Sequence, residues 1–228
     1  MFDWIIKRKA SPVASALSTD FPLVPTGQGG FLAGTHVASN LGWRPVEALS
    51  IGDRVLTFDH GMQEICEIHR ETLLVTDDTS SDRQCPLLVP QDALHNRVPM
   101  WVMPDQGILI ESDLAVDALG DPFVVVPACT LEGYRGIHRA PAGQRLELVV
   151  PRFAQDEVIY LEAGLLGFSA APSSILETVG GEDSLYRVLP QDAARDLIVN
   201  MMAEEAFWAP DVPAGPGAQG DVQFVSVR

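Results

Sequence analysis

Apolar residues fall in short runs broken by Gly, Pro and polar clusters, a pattern of many strands and few helices. Thr35-His36-Val37-Ala38 is a short strand candidate. Arg44 to Leu49 predicts a single helical turn, closed by a turn at Gly52-Asp53. In Arg54-Val55-Leu56-Thr57-Phe58, alternation sends Val55 and Thr57 to one face and Leu56 and Phe58 to the other. After a turn at His60-Gly61, Met62 to Leu74 reads as one long strand. Further strands are expected at Leu87–Val89, Met100–Met103, Ile108–Ile110, Leu146–Val150 and Val158–Leu161. Phe123-Val124-Val125-Val126 is continuously apolar, as a strand buried on both faces would be. One helix stands out: Pro190 suits a first helical turn, and Ala193, Leu197, Ile198, Met201 and Met202 follow at helical spacing.

Composition supports this reading. The chain has 228 residues, 46% hydrophobic, with 19 glycines and 17 prolines, enough for a β-rich core without staples. Residues 10–29 read as a linker, 76–84 as a polar loop and 210–220 as a Pro/Gly/Ala tail. Net charge is −16, a field that repels phosphate backbones and argues against a nucleic-acid partner.

The three cysteines, Cys66, Cys85 and Cys129, form no CxxC pair and read as reduced thiols in a cytoplasmic protein. Cys66 and Cys129 are expected in the core; Cys85 lies beside the polar loop. Cys66 and His69, three apart on a strand, should face opposite sides and form no dyad. The five histidines show no ligand spacing, so neither a metal nor a cofactor is expected. Thr35 and Ser39 are hydroxyls near Gly30, and Thr35, in a Gly-Thr turn, is expected to hold backbone. Trp43 is expected to pack on the hairpin around it. No apolar run matches a membrane span. Phe2, Trp4, Ile5 and Ile6 precede Lys7-Arg8-Lys9, the wrong order for a signal peptide. That segment reads as a docking arm or, alternatively, as a weak contact at the inner membrane face through residues 2–9.

One stretch carries a specific resemblance. Gly30-Phe31-Leu32-Ala33-Gly34-Thr35, then Arg44-Pro45-Val46-Glu47-Ala48-Leu49-Ser50-Ile51-Gly52-Asp53-Arg54-Val55-Leu56-Thr57, resembles the opening of bacterial Hint (hedgehog/intein) domains. Met103-Pro104-Asp105-Gln106-Gly107-Ile108 is similar to the family's Ser-Pro-x-His segment, and Asp156-Glu157-Val158-Ile159 to its later His-Glu. The resemblance implies a mainly β, Hint-like fold over 30–170, with an arm and linker at 1–29, a helical extension at 171–209 and a tail at 210–228.

It also implies a chemistry. In the family a Cys or Ser at the opening position attacks the preceding carbonyl, and a His protonates the leaving nitrogen. Here those positions are Gly30 and Gln106, with Asp156 at the later His. Glycine has no nucleophile, and an amide exchanges no proton near neutral pH. No histidine lies near either position in the sequence. The resemblance therefore implies a non-catalytic Hint scaffold that binds another protein, a component of a larger assembly. Phe2, Trp4, Ile5 and Trp208, outside the matched stretch, are the candidate anchors. Two alternatives stand beside it: self-cleavage with a substituted nucleophile such as Thr35, and membrane association through residues 2–9.

Overall fold

The computed structural model describes residues 29–74, 85–140, 145–162, 164–172 and 185–208. In chain order these hold β1 (Phe31–Leu32), β2 (His36–Ser39), β3 (Gly42–Pro45), β4 (Arg54–Thr57), β5 (Gly61–Glu64), β6 (Glu67–Leu74), β7 (Leu87–Val89), β8 (Met100–Val102), β9 (Gly107–Glu111), α1 (Asp113–Leu119), β10 (Phe123–Pro127), β11 (His138–Arg139), β12 (Arg145–Arg152), β13 (Glu157–Tyr160), β14 (Leu166–Ser169) and α2 (Gln191–Trp208). The fold is mainly β, as expected.

The central sheet runs β10-β9-β14-β13-β4-β2-β3, with β5 added on β4. Two three-stranded sheets, β1-β12-β6 and β11-β7-β8, flank it. The central strands are apolar on both faces because both faces are covered. Ile108, Val124, Val126 and Ile159 enter the main core. Their alternates Leu109, Val125 and Val158 pack with Phe168 and Tyr186 on the other side.

The 44–57 block forms a clasp. Gly52 adopts a left-handed φ of 91°, a conformation that costs an L side chain about 1–2 kcal/mol. Asp53 Oδ2 accepts the Ser50 amide at 2.8 Å and Arg44 Nη1 at 2.8 Å. The Ser50 bond, then Arg44, holds the Asp53 carboxyl below its ordinary value against the opposing effect of burial. Arg70 adds bonds to the carbonyls of Glu47 and Leu49, while Val46 and Leu49 plug the core beneath. The turn and the strand it launches are thus one unit.

Three expectations are corrected. Met62–Leu74 is two strands: β5 pairs with β4 in the central sheet, and β6 pairs along its length with β12. At the crossing Ile65 takes the buried position, so Cys66 is exposed, its thiol on the Arg152 carbonyl at 3.2 Å. Trp43 lies on the edge strand β3 and keeps half its surface exposed. Cys129 is buried as expected, and burial raises its thiol pKa.

α2 docks through Ala194 and Ile198, with Leu197 and Met201 alongside. Farther along, Glu205 accepts Tyr134 Oη at 2.6 Å and Arg135 Nη2 at 2.7 Å. Burial and the Glu205 bond push Tyr134 up to about 12. Because this folded value lies above the ordinary 10.0, the contact stabilises fully below about 10 and is lost as pH rises through about 12.

Two outcomes follow. Asp53→Ala should lose about 1–2 kcal/mol in urea unfolding, two charge-assisted bonds discounted for solvent access. Its difference from the unaltered chain should shrink as pH falls through the depressed Asp53 value, since the protonated carboxyl no longer favours the fold. Tyr134→Phe should remove part of the alkaline stability loss between about pH 10 and 12, read by thermal melts across that range.

Candidate functional site: the Gly29–Gly30 junction

The resemblance places the family's reacting bond between Gly29 and Gly30. The Gly29 amide donates to the Asp105 carbonyl at 3.1 Å. A Cβ on Gly29 would fall 2.4 Å from the Gln106 backbone nitrogen, far inside any real contact, so backbone meets backbone here and only glycine fits. The next residue, Gly30, is buried beside β12. A Cβ there would lie 3.0 Å from Val150 Cγ2 and 3.4 Å from Leu148 Cβ. The structure therefore brings Gly30 and Gln106 together through Gly29.

Gln106 is 1% exposed. Its Nε2 donates to the Gly107 carbonyl at 2.8 Å and the Phe168 carbonyl at 2.9 Å. Both neighbours are acceptors, which fixes the amide orientation. The side chain staples β9 to β14 near Gly167↔Ile108, the one register pair between those strands. Its Oε1 is buried without a partner among the described residues. The Gln106 backbone is fixed as well, giving its carbonyl to the Ala128 amide at 2.9 Å.

Asp156, the third position, accepts the Ala171 amide at 2.8 Å. Ala171 lies three residues past Phe168, so Asp156 tethers the chain leaving β14. Thr35 lies in the turn beyond β1, its amide on the Leu32 carbonyl at 3.0 Å. Phe2, Trp4 and Ile5 lie outside the described residues. Trp208 ends α2; the side chain before it, Phe207, is 79% exposed.

Sequence reasoning missed a polar cluster on β13. Glu157 is fully buried, with Oε2 3.1 Å from His60 Nδ1 and Oε1 accepting Gln155 Nε2 at 3.0 Å. Tyr186 Oη donates to Asp59 Oδ2 at 2.5 Å. Burial, then the Asp59 bond, pushes the Tyr186 pKa far up, and the charges of Asp59 and Glu157 add to it. The only sequence signal was an acidic residue opening an otherwise apolar strand. Among the described residues no three His, Cys, Asp or Glu side chains form a metal-sized group, and no helix is long and apolar enough to cross a membrane.

A family model described as the Hint domain matches residues 29–166, more than half of the chain, and the chain belongs to that family. Similar solved structures include a bacterial intein-like domain from Clostridium thermocellum (12% identity, 62% of this chain and 99% of that chain, TM-score 0.44). A variant of the MchDnaB-1 intein (12%, 61% and 99%, 0.41) is another. A splice-inactive variant of the AceL NrdHF class 3 split intein is a third (15%, 63% and 99%, 0.38). No curated protein matches the chain.

Substitution should separate the two halves of the junction. Gly29→Ala forces backbone apart and should cost more than about 3 kcal/mol, within the range of severe overpacking. Gln106→Leu strands two carbonyls but also removes the orphaned Oε1, so a net loss of about 1–3 kcal/mol is expected. Urea unfolding of both variants checks the order.

Proposed function

We propose that this Hint-family domain does not process its own backbone and serves as a scaffold that binds another protein. The observation that carries the reading is the state of Gln106. Where the resemblance places a proton donor, there is a buried amide whose N–H groups are both committed to backbone carbonyls. Beside it, Gly30 has no nucleophile, and a Cβ there would sit tight against Val150 Cγ2 at 3.0 Å. Nucleophile and acid act as a unit in such reactions, so losing both removes most of the rate. The Asp156 carboxylate is occupied with the Ala171 amide.

The binding half of the proposal rests on the two ends of the chain. The anchors singled out in the sequence lie beyond the matched residues, at both ends of the chain, and α2 presents exposed Val199, Met202 and Phe207 near one of them. The three free thiols suit a reducing compartment such as the cytoplasm.

Intact mass of the purified chain, incubated with and without a strong thiol or hydroxylamine, tests the reading. A single peak at 24.7 kDa in both conditions is expected. A fragment beginning at or near Gly30 would establish self-cleavage and overturn the inert-scaffold reading, with Thr35 the first hydroxyl to replace.

A further inference from the structure

β1 and β8 are both edge strands among the described residues, and they are not paired with each other. The residues beside them, Gly29 before β1 and Asp105 after β8, are joined by a backbone hydrogen bond of 3.1 Å. Between them opens a cleft of about 530 Å³, walled by residues 32–36 and 98–101 and floored by β12. That size lies in the range of about 300–1,000 Å³ typical of binding clefts. Leu32, Leu146 and Trp101 belong to one apolar cluster facing it. The Ala33 N–H goes to the Glu147 carbonyl of β12 at 2.8 Å. Alternation then turns the Leu32 N–H toward the open edge.

Two polar pairs line the cleft. His36 Nδ1 lies 3.3 Å from Glu162 Oε2, and Arg145 Nη2 lies 3.3 Å from Glu147 Oε1. Beside them lie Leu32, Trp101 and Leu146 and the outward Leu32 N–H, a surface that suits an extended, apolar segment.

The chain carries such a segment close by in sequence. Residues 1–28 join the fold at Gly29, three residues before the Leu32 wall of the cleft, and Phe21-Pro22-Leu23-Val24-Pro25 is uncharged and apolar. Thr26-Gly27-Gln28 supplies the residues for a reversal. Residues 1–28 also hold three basic side chains against two acidic in a chain of net charge −16, so repulsion does not oppose docking. A tether this short places the segment at an effective concentration near millimolar.

We propose that the β1–β8 cleft is the seat of the chain's own Phe21–Pro25 segment, held over Leu32, Trp101 and Leu146. The test is hydrogen exchange on the full chain. Phe21→Ser/Leu23→Ser/Val24→Ser should speed exchange in residues 31–36 and 98–102 at least tenfold and leave β9 and β10 unchanged. Phe2→Ser/Trp4→Ser/Ile5→Ser should leave the cleft as it was. Equal cleft exchange in the first variant and the unaltered chain overturns the proposal, and so does protection that disappears on dilution, which would make a second copy the occupant. Should the triple variant fold poorly, a photo-crosslinker replacing Leu23 alone decides the matter. Intramolecular links to 32–36 or 98–101 support the seat, and links elsewhere or only between chains overturn it.

Discussion

The chain enters its fold through a gap that admits no side chain. Gly29 lies on the Gln106 backbone at a distance where a Cβ would collide. From this contact much of the arrangement around the junction follows. It fixes where β1 starts, and the Phe31↔Val149 register then sets β1 on β12. β12 carries β6 along all eight of its residues. The same contact holds the chain between β8 and β9, so that one sheet edge and the central sheet share a fixed point. A closely packed interior transmits such a constraint instead of absorbing it.

A second constraint is polar. Asp53 gathers the Ser50 amide and Arg44, and Gly52 supplies the conformation that lets it do so. The Arg-Pro-Val-Glu and Gly-Asp elements that mark the family in the sequence are thereby explained without any catalytic role. Arg44 and Asp53 are ends of one ion pair, Glu47 accepts the Gly34 amide at 2.8 Å, and Val46 and Leu49 are buried. This motif reports the fold. It is silent on whether the fold performs chemistry, because none of its side chains touches the junction bond.

That separation accounts for what could be read in the sequence. The strands of the central sheet were legible because burial on both faces leaves a continuous apolar run, as in Val124–Val126. α2 was legible because only one stripe of it is buried. The β5–β6 crossing was not, since a strand that changes sheets keeps its β-forming residues and betrays itself only by the outward turn at Cys66. α1 was passed over although Ser112 and Gly120 bracket it, with Gly120 at a φ of 81° closing the last turn; at 7 residues it is too short to show a period. β14, at Leu166–Ser169, hides in a stretch of small residues because Gly167 must admit the Phe31 ring. Of the junction, the identities of Gly30 and Gln106 were legible. Their contact through Gly29 was not, because it is made by backbone. The Glu157–His60 pair joins residues 97 positions apart, and no local pattern encodes that.

Gln106 shows how a fold can outlast a site in the proposed reading. A buried polar side chain is costly unless bonded, at about 1–3 kcal/mol for each unsatisfied group. Gln106 meets half of that demand with its two N–H bonds across β9 and β14, and leaves Oε1 unmet. An apolar residue would avoid the orphan but strand the Gly107 and Phe168 carbonyls, so the amide is a compromise set by the surrounding backbone. The backbone arrangement thus selects for a donor at this position whether or not a proton is ever transferred. Retention of a polar residue at 106 is therefore evidence about strand pairing. Evidence about reaction comes from the commitment of both Gln106 N–H groups to backbone carbonyls, together with residue 30, which carries no nucleophile.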